Sequence, residues 1–179
     1  MVVIAFEGKS DAEFLDSLFE EYNLPRNEVI YYEFKGKDNI FNTSHNFYDE
    51  IEEDIQKIDK MLIIVDADNE NDPNPNRGYK ASEQKPKEII DTLDFDIPID
   101  YQIMCGKNKE GHLESFLLSV LDDEQQECIN KFKECYKYEL TDKWAYNTFY
   151  KQKKYPFNYG HPYFKDLKQK LTNLFKKEE

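Results

Sequence analysis

With 179 residues, 39% of them hydrophobic and 13 Tyr and 13 Phe among them, the chain fits one domain with an appendage, and its aromatic content argues against disorder. No apolar run approaches the roughly 20 residues of a membrane span, and the first residues carry no signal-peptide pattern. The three cysteines, Cys105, Cys128 and Cys135, show no CxxC spacing, which speaks against structural zinc and for a reducing, cytoplasmic setting.

Residues 2–6 are β-branched and aromatic and predict a first strand, followed by Glu7-Gly8-Lys9-Ser10-Asp11. Ser10 with Glu13 three residues on predicts a capped helix over about 11–22, whose apolar face is Phe14, Leu15, Leu18, Phe19 and Tyr22. Asn23-Leu24-Pro25 ends it. A second strand is expected over 28–34, then a loop rich in Gly, Lys and Asn. A helix opened by Ser44 follows over about 45–59, with Phe47, Ile51, Ile55 and Ile58 inward. Met61–Val65 predicts a third strand running into Asp66-Ala67-Asp68. Residues 69–78, with two prolines and four asparagines, read as a surface loop.

A helix over about 82–93, a fourth strand over 101–105 and a tight loop from Gly106 to Gly111 come next. The remainder reads as helices over about 112–121, 123–138, 141–152 and 162–177. This βαβαβαβ order predicts an α/β fold: a four-stranded, mainly parallel sheet with helices on both faces. Residues 1–121 form the α/β domain in this reading, and 122–179 a helical, Lys- and aromatic-rich extension packed on it.

Two buried-looking strands stop abruptly at carboxylates, Glu7 and Asp66. At the C-terminal edge of a parallel sheet, that is where ligands bind. Glu7, Asp66 and Asp68 together would repel one another unless a divalent cation lay between them, and hard cations such as Mg²⁺ prefer oxygen ligands. Asp66 and Asp68, two apart in an extended chain, would point the same way. Gly8 would let a phosphate approach the backbone, with the helix N-terminus behind it and Lys9 beside it.

Taken together, Glu7-Gly8-Lys9-Ser10-Asp11 and Asp66-Ala67-Asp68 resemble the Toprim domain of topoisomerases, bacterial primases and OLD-type nucleases, over roughly residues 1–105. Gly111-His112-Leu113-Glu114 is similar to the Gly-x-x-Glu element of small Toprim-like proteins related to the OLD nucleases, and Thr141-Asp142-Lys143 more weakly to a Lys-bearing helix start there. The resemblance implies a Mg²⁺- or Mn²⁺-dependent phosphoryl-transfer enzyme acting on nucleic acid, a nuclease of Toprim type. Glu7 and Lys143 would be catalytic in it, and Glu7, Asp11, Asp66, Asp68 and Glu114 would bind metal.

The charge distribution bears on the partner. Residues 1–130 carry a net −19, whereas 131–179 hold 12 Lys against 6 acids, a net +6. Such a tail is expected to contact a polyanion through Lys151, Lys153 and Lys154, flanked by Tyr150 and Tyr155. A solvated helical face is the plainer account of the same lysines. Aromatics such as Trp144 and Phe149 would either stack bases or, more simply, pack a helical face. Two other functions fit the pattern: a non-catalytic metal- and phosphate-binding adaptor working with a separate ATPase, and a receiver-like signalling domain.

Overall fold

The computed structural model describes residues 1–136, 140–151 and 157–176. Strands β1 (Val2–Phe6), β2 (Val29–Glu33), β3 (Lys60–Asp66) and β4 (Ile99–Met104) form one sheet in the order β2-β1-β3-β4. All three pairings are parallel. Helices α1 (Lys9–Glu21), α2 (Lys37–Ile40), α3 (Asn46–Glu53), α4 (Tyr79–Leu93), α5 (Leu113–Leu118), α6 (Asp123–Cys135), α7 (Asp142–Phe149) and α8 (Lys165–Leu174) complete the described residues.

Strand alternation sorts the core into two layers. Val2, Ile4 and Phe6 of β1, with Leu62 and Ile64 of β3, pack against α1, α5 and α8. Val3 and Ala5, with Met61, Ile63 and Val65, face the opposite way onto α3 and Ile89 of α4. Both central strands are thus buried on both faces, which explains why they read as continuous apolar runs. Leu167, Leu171 and Leu174 of α8, at helical spacing, lie in the same layer as β1. A smaller cluster joins α5 to α6 and α7 through Leu118, Leu121, Ile129, Ala145 and Tyr150. No helix among the described residues is long and apolar enough to cross a membrane.

Several local expectations shift. Helix α1 begins at Lys9 with Gly8 as its N-cap, not at Ser10; the Asp11 carboxylate reaches back to accept the Gly8 N–H at 2.9 Å. The helix ends in a closed turn, with Asn23 left-handed at φ 50° and the Leu24 N–H bonded to the Phe19 carbonyl at 2.9 Å. The loop after β2 contains the short helix α2. The helix expected over 45–59 is α3 plus a separate 3₁₀ turn at Ile55–Lys57, and its cap is the His45 imidazole, which accepts from Phe47 N–H. Helix α4 starts three residues before the expected 82, and the last helix opens with a 3₁₀ turn, Pro162–Phe164.

Candidate active site

Because β1 and β3 are neighbours in the sheet, their C-terminal ends bring Glu7 and Asp66 side by side. Glu7 Oε1 accepts the Asp66 backbone N–H at 2.7 Å. Asp66 Oδ1 in turn accepts the N–H of Leu113, the first residue of α5, at 3.0 Å. The donor is one of the free amides at a helix start. Behind this pair lie two buried carboxylates. Asp11 of α1 is 6% exposed, and Glu114 of α5 is 5% exposed and makes no hydrogen bond or ion pair among the described residues. Glu7 and Asp66 keep part of their surface open to solvent.

Glu7, Asp11, Asp66 and Glu114 repel one another in this space. Burial pushes the Glu7 carboxyl up to about 7, against the Asp66 amide and Lys37, which pull it down, while Asp68 and Asp11 add to the rise. Burial likewise raises Asp11 to about 6, opposed by the Gly8 amide and reinforced by Glu114. Asp66 is driven well above the ordinary carboxylate range by burial and then by Glu7, Asp11, Asp68 and Glu114.

Asp68 is different in kind. It does not continue the strand: its φ is 63°, and its backbone pairs with Gly111 through two hydrogen bonds of 2.7 and 2.9 Å. The expected extended alternation with Asp66 is therefore absent. Its Oδ2 takes Lys37 Nζ and Arg77 Nη1, each at 2.9 Å. Burial works to raise its pKa, and the hydrogen bonds and charges of Arg77 and Lys37 overcome that and hold it low.

Lys37 is fully buried, and its ammonium also donates to the Asp66 and Ala67 carbonyls. Gly111 is required where it stands. Its φ is 88°, and a Cβ there would meet Ser115 Oγ at 2.1 Å. Gly8, by contrast, has extended backbone at φ −150°, and a Cβ on it would meet nothing nearer than the Asp11 carboxylate at 3.9 Å.

No curated protein and no solved structure matches the chain. The model of DUF3226, a protein family of unknown function, matches residues 1–159. The chain belongs to the DUF3226 family. That match runs through every carboxylate of the cluster and through Lys37 and Arg77.

In this DUF3226 protein, two functional candidates escaped the sequence. Lys37 stood in a Gly- and Lys-rich stretch that reads as surface, and Arg77 in a Pro- and Asn-rich loop. Their only signal was position, after β2 and β3 at the C-terminal edge of the sheet. Lys9 is exposed, as is Lys143 on the first turn of α7, and among the described residues neither has a carboxylate partner, in the cluster or elsewhere. Lys151 pairs with Glu13 at 3.5 Å; Lys153 and Lys154 lie outside the described residues. Trp144 stacks on Phe132 and Tyr136, so its ring is engaged within the helical extension.

The all-oxygen donor set suits a hard divalent cation. Among the described residues, however, no three His, Cys, Asp or Glu side chains stand together as a ready metal cage, and Glu7 and Asp66 each accept a backbone amide with one oxygen.

The raised carboxyls set a pH dependence. Glu7 and Asp11 bind protons more tightly folded than unfolded, so their contribution is fully favourable below the ordinary carboxylate value and is lost as pH rises through about 6 to 7. The metal-free protein is expected to be more stable at pH 5 than at pH 8, with Glu7 alone supplying about 3 kcal/mol. Asp68, held low, loses its contribution only below that window. Thermal melts in a chelator across this range check the sign; flat or rising stability toward pH 8 contradicts it.

Proposed function

We propose that this protein is a metal-dependent phosphoryl-transfer enzyme acting on nucleic acid, a nuclease of Toprim type. The observation that carries the reading is the pairing of Glu7 with Asp66 at the sheet edge, 2.7 Å from carboxylate to amide, with Asp11 and Glu114 behind them. The nearest cations of the protein, Lys37 and Arg77, are committed to Asp68. Four mutually repelling carboxylates are left without an ion pair among the described residues, and Mg²⁺ or Mn²⁺ is the counter-charge that such oxygens select.

Glu7, Asp66, Asp11 and Glu114 would hold the ion or ions. A bound divalent cation would polarise a phosphoryl oxygen and lower the pKa of water. The chain's own groups then divide the work. Glu7, raised to about 7 in the metal-free protein, is matched to proton transfer near neutral pH. The open backbone at Gly8 admits a phosphate closely. Lys37 and Arg77 fix Asp68, and through the Asp66 and Ala67 carbonyls Lys37 fixes the segment that carries Asp66.

A second reading is a non-catalytic adaptor that binds metal and phosphate beside an ATPase subunit. Cleavage assays separate the two. Single- and double-stranded DNA and RNA incubated with Mg²⁺ or Mn²⁺ are expected to be cut by the parent protein and spared by Asp66→Asn or in a chelator. Equal cutting by Asp66→Asn overturns the site. No cutting of any substrate with either metal leaves the adaptor.

A further inference from the structure

The described residues contain two large cavities, and they differ in charge. One of about 700 Å³ lies against α1, lined by Glu13, Glu20 and Glu21 with Lys151 as its single lysine. The other, of about 710 Å³, follows the outer edge of β4 between α4, the 105–111 loop and α8. Four lysines line it, Lys107, Lys109, Lys165 and Lys170, against Glu83, Asp100 and Asp166. In a chain of net charge −13, a groove of positive balance is where the field directs an anion.

The open edge of β4 does not take a peptide strand. Its outward carbonyls are already occupied: Lys170 Nζ donates to Tyr101 O at 2.6 Å, Gln102 Nε2 to Ile103 O at 3.0 Å, and Tyr163 Oη to Cys105 O at 3.0 Å. Strand addition needs those acceptors free. What the groove offers instead is lysine set beside tyrosine. Lys109 Nζ sits 4.7 Å from the Tyr79 ring centre and Lys170 Nζ 5.6 Å from that of Tyr101. Lys107, Lys109 and Lys165 have no carboxylate partner among the described residues. Gln102, buried at 7% exposure in the groove lining, leaves Oε1 without a hydrogen-bond partner.

The loop that lines the groove also leads to the carboxylates, since the Leu113 N–H just beyond it is donated to Asp66. The loop bearing Lys107 and Lys109 ends at Gly111, which is bonded to Asp68, and the Cys105 thiol at the loop's start feels the charge of Asp66. Aromatic faces, unpaired ammonium groups and a buried amide acceptor are the complement of an unpaired nucleotide, whose base stacks, whose phosphate is anionic and whose amino group donates. A paired base in a duplex has no free face to offer a tyrosine.

We propose that this groove binds an unpaired stretch of nucleic-acid strand, with phosphates at Lys107 and Lys109 and bases against Tyr79 and Tyr101, so that the strand's next phosphate meets Glu7 and Asp66. The proposal rests on the nuclease reading for the last step only.

The test is fluorescence anisotropy on the full chain in a chelator, with a labelled single-stranded oligonucleotide, the same sequence as a duplex, and an unlabelled mononucleotide as competitor. The single strand is expected to bind at least about ten-fold more tightly than the duplex. Lys107→Glu/Lys109→Glu should weaken binding about ten-fold or more and lower the salt slope by about 0.7 for each phosphate lost. Tyr101→Ala should weaken it about five-fold. The charge-matched Lys57→Glu/Lys131→Glu protein, altered at exposed lysines, should bind within two-fold of the parent.

Equal affinity for duplex, or parental affinity in the Lys107/Lys109 variant with its melting temperature kept, overturns the proposal. Displacement by mononucleotide at concentrations similar to the oligonucleotide assigns the groove to a free nucleotide and overturns the strand. The two readings fail separately. Groove variants with parental binding beside a cleavage-dead Asp66→Asn protein remove the groove alone; a parent that binds the strand, loses it in the groove variants and cuts nothing removes the nuclease alone.

Discussion

Glu7→Gln is expected to lose metal-dependent phosphodiester cleavage by about 10²–10⁴-fold while the metal-free protein becomes more stable. Glutamine keeps an oxygen to accept the Asp66 N–H now held at 2.7 Å, so the sheet edge should retain its shape. It removes one of four repelling acids and with it the proposed proton-transfer group. Burial and the neighbouring carboxylates that raise Glu7 to about 7 are a strain on the folded state at pH 8, and the amide relieves it. The melting temperature in a chelator should therefore rise, and the further rise produced by millimolar Mg²⁺ or Mn²⁺ should shrink, since the site binds metal less well. Asp68→Asn should do the opposite in the melt, because its charge is already balanced by Lys37 and Arg77. Cleavage by Glu7→Gln at the parental rate would place the chemistry elsewhere.

The sheet was legible because both central strands are buried on both faces. Val2–Phe6 and Met61–Val65 have no polar residue to confuse the period, and their carboxylate ends mark where each leaves the sheet. Local chemistry was harder to read. Ser10 and Glu13 have the spacing of a capping box, yet Asp11 makes the reach to Gly8 instead, a choice between neighbouring carboxylates that spacing does not decide. In the candidate site, the strand ends bring Glu7 to the Asp66 amide, and Asp11 and Glu114 stand near enough to raise the Asp66 carboxyl. Asp68 departs because two-residue alternation holds only in extended chain, and its left-handed backbone is set by the bridge to Gly111, 43 residues on. Lys37 was illegible for a related reason. A lysine among glycine, lysine and asparagine reads as solvated, and only partners 29 to 31 residues away in sequence make its burial tolerable.

That burial leads to the second large effect. Lys37→Met is expected to destabilise the protein by about 3–5 kcal/mol, the range for removing one partner of a buried ion pair. Methionine preserves most of the stem volume, so the loss is electrostatic rather than a cavity. The Asp68 carboxylate would keep Arg77 at 2.9 Å, but the Ala67 carbonyl would lose its ammonium donor, and the Asp66 carbonyl would retain only the Ser82 hydroxyl, also at 2.9 Å. Urea unfolding should show a lower midpoint at an unchanged slope. The double variant Lys37→Met/Asp68→Asn should recover part of the loss, because the carboxylate that has lost one of its two cations is then neutral. Lys37 also lowers the Glu7 pKa across the sheet edge. Its removal should therefore move the pH at which metal-free stability declines upward, a readout that lost packing alone would not give. An unchanged midpoint in Lys37→Met would mean that the ammonium does not hold the Asp66–Asp68 segment. The arrangement of the carboxylate cluster would then have to come from the backbone pairing of Asp68 with Gly111 and from the bonds of Glu7 and Leu113 to Asp66.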